Sequence, residues 1–250
     1  MRAASTDESL QNTLDWALQR MKQKGYEVKS KVSLNVEPSL AIMGYARKEG
    51  EVHRIMISGW ALDSEMLGGL VLHELSHVYF AERDASSHDS AALEEVLEHM
   101  KERDGLRGKE TEFLIDAFNH LQNVLVDDIV FEVMEEKEKE MTKKFFAEWM
   151  TDKPSGDPVT DAALLSRNAF AVASLKRRNL FEKDSEMYYR NQSLLSALGP
   201  LSEQEFEWME GFLEGAKSEW DRERFRVELE NYFDRLISLM RACSKLDDLR

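Results

Sequence analysis

The stretch Leu70–Phe80, LVLHELSHVYF, places three ionisable side chains inside an apolar helical pattern. His73 and His77 are four residues apart, so on a helix both imidazoles lie on one face, one turn from each other. Glu74 lies beside the first histidine, where its carboxylate can reach a water held by an ion between the two rings. This is the H-E-x-x-H pattern, in which two histidines bind zinc and the glutamate is the general base.

The apolar surroundings support this interpretation, because a buried charge and two buried imidazoles need partners. A metal ion supplies a partner for both rings. The competing interpretation is a pair of core histidines with ordinary hydrogen bonds and a surface glutamate. We therefore predict one Zn²⁺ per chain, with His73 and His77 as ligands and Glu74 as the catalytic base.

The segment HELSH at 73–77, its apolar neighbours and the preceding run VHRIMIS resemble the zincin metallopeptidases over about residues 26–135. The resemblance implies an α+β, zincin-like fold: a small N-terminal β-sheet with an active-site helix, followed by a mostly helical C-terminal half. It also implies that the strand Val52–Ser58 lines the cleft and holds an extended peptide substrate through main-chain hydrogen bonds.

A catalytic zinc site takes three protein ligands and leaves one position open for water. In metzincins the third ligand is a histidine six residues after the second, and here that position is Arg83. In gluzincins the third ligand is a glutamate on a later helix, within an E-x-x-x-D pattern that has no clear match in this chain. The third ligand must therefore come from another residue.

The next long helical pattern interrupts an apolar run, VLVDDIVF, with Asp127 and Asp128. An unpaired carboxylate there would be costly, and a metal or a histidine N–H would offset that cost. In one arrangement Asp128 binds the metal and Glu132 supports it. In the other, Asp127 binds it and Asn123 or His120 lies behind. We favour a role for both aspartates, one as ligand and one orienting a histidine ring, although helix capping or surface placement would explain either of them.

This pairing of HExxH on one helix with two carboxylates on the next long helix resembles little-characterised predicted metallopeptidases of archaea and bacteria. His88, eleven residues after His77, competes for the third position, since some related zincins take a later histidine as ligand. Against this, its polar loop, SSHDS, explains an exposed histidine at no cost. Asp127, Asp128 and His88 therefore remain open as third ligand.

The elements that must position these residues follow from periodicity and turn signals. The segments AIMGYAR and VHRIMISG, joined by KEGE, predict a hairpin, and KVSLNVEP predicts a further strand. Asp63 or Ser64 is expected to cap the motif helix, which would run to about Arg83. The other predicted helices span residues 7–24, 90–103 and about 110–140.

Two regions are expected along the chain, a zincin-like metal-binding domain at 1–150 and a helical C-terminal region at 160–250 packed on it. The segment Thr151–Asp161 carries two of the four prolines and is the best candidate for a linker. The C-terminal region carries no motif of its own.

Composition limits the class of partner. The formal net charge of -15 disfavours nucleic acid and anionic membranes, which leaves a peptide or protein substrate. No run of eighteen apolar residues and no apolar signal region is present, so neither a membrane span nor secretion is expected. The only cysteine, Cys243, gives no disulfide framework, which favours a cytoplasmic setting. The oligomeric state is left open.

The function predicted from these residues is that of a zinc-dependent metallopeptidase, which hydrolyses peptide bonds by a metal-activated water with Glu74 as general base. The alternative is a catalytically silent zincin-like protein that acts as a metal-bound binding or regulatory module. The intact Glu74 favours the enzyme, and the acidic helical C-terminal half favours an interaction role. A helical scaffold with a chance motif is the third possibility.

Overall fold

The computed structural model describes the backbone of residues 2–247 and the side chains of residues 8–199 and 202–241. The side chain of Cys243 lies outside the described residues. The chain is α+β, with a three-stranded sheet and a majority of helix. Among the described helices, none combines the length and apolar character that crossing a membrane requires.

The residues fall into two compact units, and the chain passes between them more than once. One unit contains the residues up to His88 together with Val126–Thr142. The other contains Asp89–Leu125 together with the residues from Lys143 onward. This division differs from the predicted boundary at 150–160, because a single long helix contributes one segment to each unit.

The sheet of the first unit has the strand order β1-β3-β2. Strand β1 (Lys31–Glu37) runs parallel to β3 (Val52–Ser58), and β2 (Gly44–Glu49) runs antiparallel to β3. The predicted hairpin is confirmed. Its two-residue turn has Gly50 at φ 60°, a left-handed conformation that suits glycine.

Two helices of the first unit pack near this sheet. Helix α1 (Arg2–Gln23) buries one stripe, at Leu10, Leu14, Ala17 and Met21. Helix α2 (Leu67–Ala81) carries the HELSH segment. It begins later than predicted, after a 3₁₀ turn at Gly59–Ala61, and its N-cap, Met66, makes no side-chain cap. Ser64 accepts a hydrogen bond from the Met66 N–H but lies outside the helix.

The predicted helix at 110–140 is two helices, α4 (Lys109–Val133) and α5 (Glu136–Trp149). The break lies where Arg20 of α1 donates to the Val133 carbonyl at 2.6 Å and to Glu138 at 2.8 Å. Glu138 also accepts from the Glu135 N–H at 2.6 Å, so it caps the start of α5. Arg20 of α1 thus binds both the last residue of α4 and the residue that caps α5.

The second unit is helical in its described part. Helix α3 (Ser90–Asp104) is close to its predicted span and is capped by Asp89, which accepts from the Ala91 N–H. Helix α6 (Pro158–Lys176) is buried along most of its length. The remaining helices are α7 (Glu186–Leu198), α8 (Pro200–Glu214) and α9 (Arg222–Asp247).

Candidate metal centre

Helix α2 brings the two histidines of the motif together within the first unit. His73 Nε2 and His77 Nε2 lie 3.3 Å apart, and the rings meet edge to face at 5.0 Å between centroids. Two imidazole nitrogens bound to one tetrahedral zinc at about 2.0–2.1 Å would be separated by about 3.3–3.4 Å. The spacing and chemistry of this donor pair therefore fit two positions of a zinc site.

The outward-facing nitrogens of both rings have partners. His73 Nδ1 lies 3.5 Å from Oδ1 of the buried Asp127, and His77 Nδ1 lies 3.0 Å from His88 Nε2. Metal-binding histidines usually have their second nitrogen held in this way, which fixes the tautomer and the ring orientation. Asp127 and His88 thus lie behind the two rings, where each can orient one.

His88 is itself held from two sides. Its Nδ1 lies 3.0 Å from Ser87 Oγ, and its ring stacks on Phe80 at 4.9 Å between centroids. Burial, with a smaller contribution from the charge of His73, lowers the pKa of His88 to about 4, so the ring is neutral at pH 7. Because its Nε2 faces His77 Nδ1, this geometry favours an orienting role over direct ligation.

Glu74 lies on the sheet side of α2 and is buried, with 5% of its surface exposed. Burial raises the pKa of its carboxyl to about 7, although the charge of His73 and the backbone amide of Ala46 favour the charged form. Gly44 provides the space for this approach. A Cβ at Gly44 would lie 3.4 Å from Glu74 Oε1 and 3.0 Å from the Met56 carbonyl oxygen.

Asp128 lies on a different side of α4 from Asp127, near Tyr26. Burial is the main cause that raises the pKa of the Tyr26 hydroxyl, followed by its hydrogen bond to Glu132, and the charge of Asp128 adds a smaller contribution. Tyr26 donates to Glu132 Oε2 at 2.6 Å. The carboxylate of Glu132, predicted to support Asp128, is therefore engaged with a tyrosine.

The other predicted neighbours, His120 and Asn123, belong to the part of α4 that is in the second unit. His120 Nδ1 lies 3.2 Å from Ser166 Oγ, and the ring stacks on Phe170 at 5.1 Å. Burial lowers the pKa of His120 to about 3. In its own unit His120 is a neutral packing residue with a hydrogen-bond partner.

Among the residues that the structure describes, no third protein ligand is in position. Within the described residues, no three side chains of His, Cys, Asp or Glu surround a common point that could hold a metal ion. The His73–His77 pair is the part of the predicted set whose geometry fits, and the identity of the third ligand stays a prediction among Asp127, Asp128 and His88.

A family model described as a family of unknown function, DUF5781, matches residues 16–207 of the chain. The chain belongs to this family. The matched part of this DUF5781 chain contains the histidine pair, Glu74, His88 and both aspartates. No curated protein and no solved structure matches the sequence.

In this DUF5781 member, the sheet order contradicts the prediction that β3 pairs with the substrate. Strand β3, Val52–Ser58, is central and is paired on both sides, so its main chain cannot also bind a peptide. The edge strand beside Glu74 is β2. Sequence reasoning missed Gly44 and Ala46, because the hairpin pattern alone does not reveal which strand pairs with β1.

Proposed function

We propose that this protein is a zinc-dependent peptidase in which His73 and His77 hold the metal and Glu74 moves the proton. One observation carries the proposal: the two Nε2 atoms lie 3.3 Å apart on a helix whose intervening glutamate is buried. This spacing suits two ligands of one zinc ion.

When bound, zinc would supply Lewis acidity, which polarises a carbonyl group and makes a water more acidic. Glu74 would accept a proton from the attacking water on a carboxylate oxygen and deliver it to the departing amine. Burial raises the pKa of the Glu74 carboxyl, in the direction that suits a general base, which works best when its pKa is near the working pH.

An extended peptide would bind along the open edge of β2. That edge has unpaired main-chain groups and lies beside Glu74, so a peptide added as a further strand would bring its carbonyl carbons to the base. Main-chain pairing makes few demands on side chains. We therefore expect a substrate that is an unfolded or extended segment of a peptide or protein, handled in the cytoplasm, and no binding of nucleic acid or membrane.

Asp127 and His88 would orient the two ligand rings through their Nδ1 atoms, and Asp128 remains a candidate third ligand. Their distances support this distribution of roles: 3.5 Å from Asp127 to His73 and 3.0 Å from His88 to His77. An orienting carboxylate behind a histidine raises the basicity of the nitrogen that faces the metal.

The test is cleavage of fluorescently labelled casein by the zinc-loaded protein. Glu74→Gln should retain zinc and lose about 10²–10⁴-fold in rate, because the proton acceptor is removed while both histidines stay. Glu65→Gln, an exposed glutamate before α2, should behave as wild type. Equal cleavage by Glu74→Gln and wild type would contradict the assigned role.

The same assay distinguishes the peptidase from the second candidate function, that of a metal-bound module without activity. The observation that favours it is the lack of a third protein donor around the histidine pair in the described residues. Zinc bound at His73 and His77 with no hydrolysis of casein or shorter peptides would support that candidate.

A further inference from the structure

An arginine of the second unit lies over an indole ring and has a buried N–H group without an acceptor. Cζ of Arg167, on α6, is 5.3 Å from the ring centroid of Trp149, the last residue of α5. Among the described residues, none accepts a hydrogen bond from the buried Nε, and no carboxylate forms an ion pair with the guanidinium. Buried polar groups normally have a partner, so this donor indicates a place for an acceptor that comes from outside the chain.

The same unit contains another arginine over an indole ring, and there a carboxylate completes the arrangement. Cζ of Arg235 is 5.6 Å from the ring centroid of Trp208. Arg235 Nε donates to Glu205 Oε2 at 2.7 Å, and Nη2 donates to Oε1 at 2.6 Å. This is the two-bond pairing that suits a planar guanidinium and a planar carboxylate. Arg235 therefore shows which acceptor fits a guanidinium that is held over an indole.

Composition does not explain why Arg167 differs. The chain has 48 Asp and Glu residues against 33 Lys and Arg, so carboxylates are abundant. An excess of negative charge also disfavours the nonspecific binding of anions. An anion that binds at Arg167 would therefore depend on the particular contacts of this site.

A buried amide fixes the chain beside this pair. Asn168, which follows Arg167 on α6, accepts from the Thr151 N–H at 3.2 Å through Oδ1 and donates to the Thr151 carbonyl at 3.0 Å through Nδ2. The two bonds hold the residues that follow α5 against α6. Trp149 and Arg167 are thus positioned before any ligand arrives, which lowers the entropic cost of binding.

The neighbouring His120 adds no second positive charge. Its ring meets Trp149 edge to face at 6.1 Å between centroids. Burial, with a smaller contribution from the charge of Arg167, lowers the pKa of His120 to about 3, so the ring is neutral at pH 7. Arg167 and Trp149 are both half-buried, so part of each can be reached from solvent. One cation beside an apolar ring matches one carboxylate carried by an apolar group.

We propose that Arg167 and Trp149 bind the carboxylate of a small organic ligand, at a site separate from the histidine pair. The carboxylate oxygens would accept from Nε and from one terminal nitrogen of Arg167, as those of Glu205 do at Arg235. The apolar part of the ligand would lie against Trp149. Because Nε is covered in the free protein, binding includes a rotation of the Arg167 side chain that turns this edge of the guanidinium toward the ligand.

Benzoate is the probe, titrated into the full-length protein at constant ionic strength and followed by ¹H–¹⁵N NMR. The Nε–H signals of Arg167 and Trp149 should shift together and saturate. Benzyl alcohol, which keeps the ring but has no charge, should shift neither signal. The absence of a saturable shift with benzoate, or tighter binding of inorganic phosphate than of benzoate, would overturn the proposed carboxylate site.

Variants of the arginine test which group holds the carboxylate. Arg167→Gln should bind benzoate about 10–100-fold more weakly, as expected when a hydrogen-bonded charge is removed. Arg107→Gln, which replaces an exposed arginine of the same unit, should bind as wild type does. Wild-type affinity in Arg167→Gln, or an equal loss in both variants, would contradict a site at Arg167.

Arg167→Lys keeps the proposal testable if the glutamine variant does not fold, which circular dichroism would reveal. Lysine keeps the positive charge but lacks the planar pair of donors. Benzoate should therefore bind several-fold more weakly to Arg167→Lys than to wild type. Unchanged affinity in Arg167→Lys would show that charge alone attracts the anion and would contradict the two-bond pairing.

Discussion

At the scale of single residues, the centre is a pair of imidazoles whose inner nitrogens face each other and whose outer nitrogens are held. The spacing of His73, Glu74 and His77 could be predicted from the sequence, because four residues along a helix fix the relation of the two rings. The partners behind the rings could not be assigned. Asp127 and His88 reach the rings through tertiary packing, and the sequence offered both of them as possible ligands.

Asp127 is expected to support zinc binding from behind His73. Asp127→Asn should keep one zinc per chain but weaken its affinity by about 10–100-fold, because the amide orients the ring without raising its basicity. Competition with a zinc-binding dye measures this. Asp116→Asn, an exposed aspartate of the same helix, should leave the affinity unchanged. Complete loss of zinc in Asp127→Asn would make Asp127 a direct ligand.

His88 is expected to behave in the same way toward His77. His88→Ala removes the acceptor 3.0 Å from His77 Nδ1, so zinc should bind with unchanged stoichiometry and about 10–100-fold lower affinity. The exposed His99 gives the control, His99→Ala, with affinity as in wild type. A protein that no longer binds zinc after His88→Ala would show ligation by His88 and contradict the orienting role.

At the scale of elements, the local signals predicted the β2–β3 hairpin and the span of α3, since turn glycines and helix caps act within a few residues. The break between α4 and α5 was missed, because Arg20, which ends α4 at Val133, lies 113 residues earlier in the chain. The edge position of β2 was missed for a similar reason. Whether β1 pairs with β2 or β3 depends on packing between distant segments.

His120, in the part of α4 that belongs to the second unit, should make the free energy of unfolding depend on pH. The pKa of His120 is about 3 when folded, against an ordinary value of 6.5. Below pH 6.5 the unfolded chain binds a proton that the folded chain does not, so the free energy of unfolding should fall by up to ~1.4 kcal/mol per pH unit toward pH 3. Above pH 6.5 this residue should contribute no pH dependence.

Urea unfolding between pH 7 and 4.5 tests this contribution. His120→Gln should be less stable than wild type at pH 7, by about 1–2 kcal/mol for the lost stacking on Phe170, yet should lose less stability on acidification. His99→Gln, which replaces a more exposed histidine of the same unit, should follow the wild-type slope. A wild-type slope in His120→Gln would contradict the neutral state of His120 in the folded protein.

At the scale of the whole molecule, the α+β class and the helical majority could be predicted from periodicity. The two compact units could not be predicted, because their boundaries fall inside α4 and α5. In α4, for example, the helical pattern of the sequence continues without a break at residue 125. The formal net charge of -15 is consistent with the prediction that polyanionic partners are disfavoured.

The most direct test of the candidate metal centre is the metal content of the purified protein, measured by inductively coupled plasma mass spectrometry. Wild type and His99→Ala, supplied with zinc and then desalted, should each carry one zinc per chain. His73→Ala and His77→Ala should carry none, because each removes one of the two converging Nε2 atoms. Zinc missing from wild type, or retained equally in all four proteins, would contradict a metal site at this histidine pair.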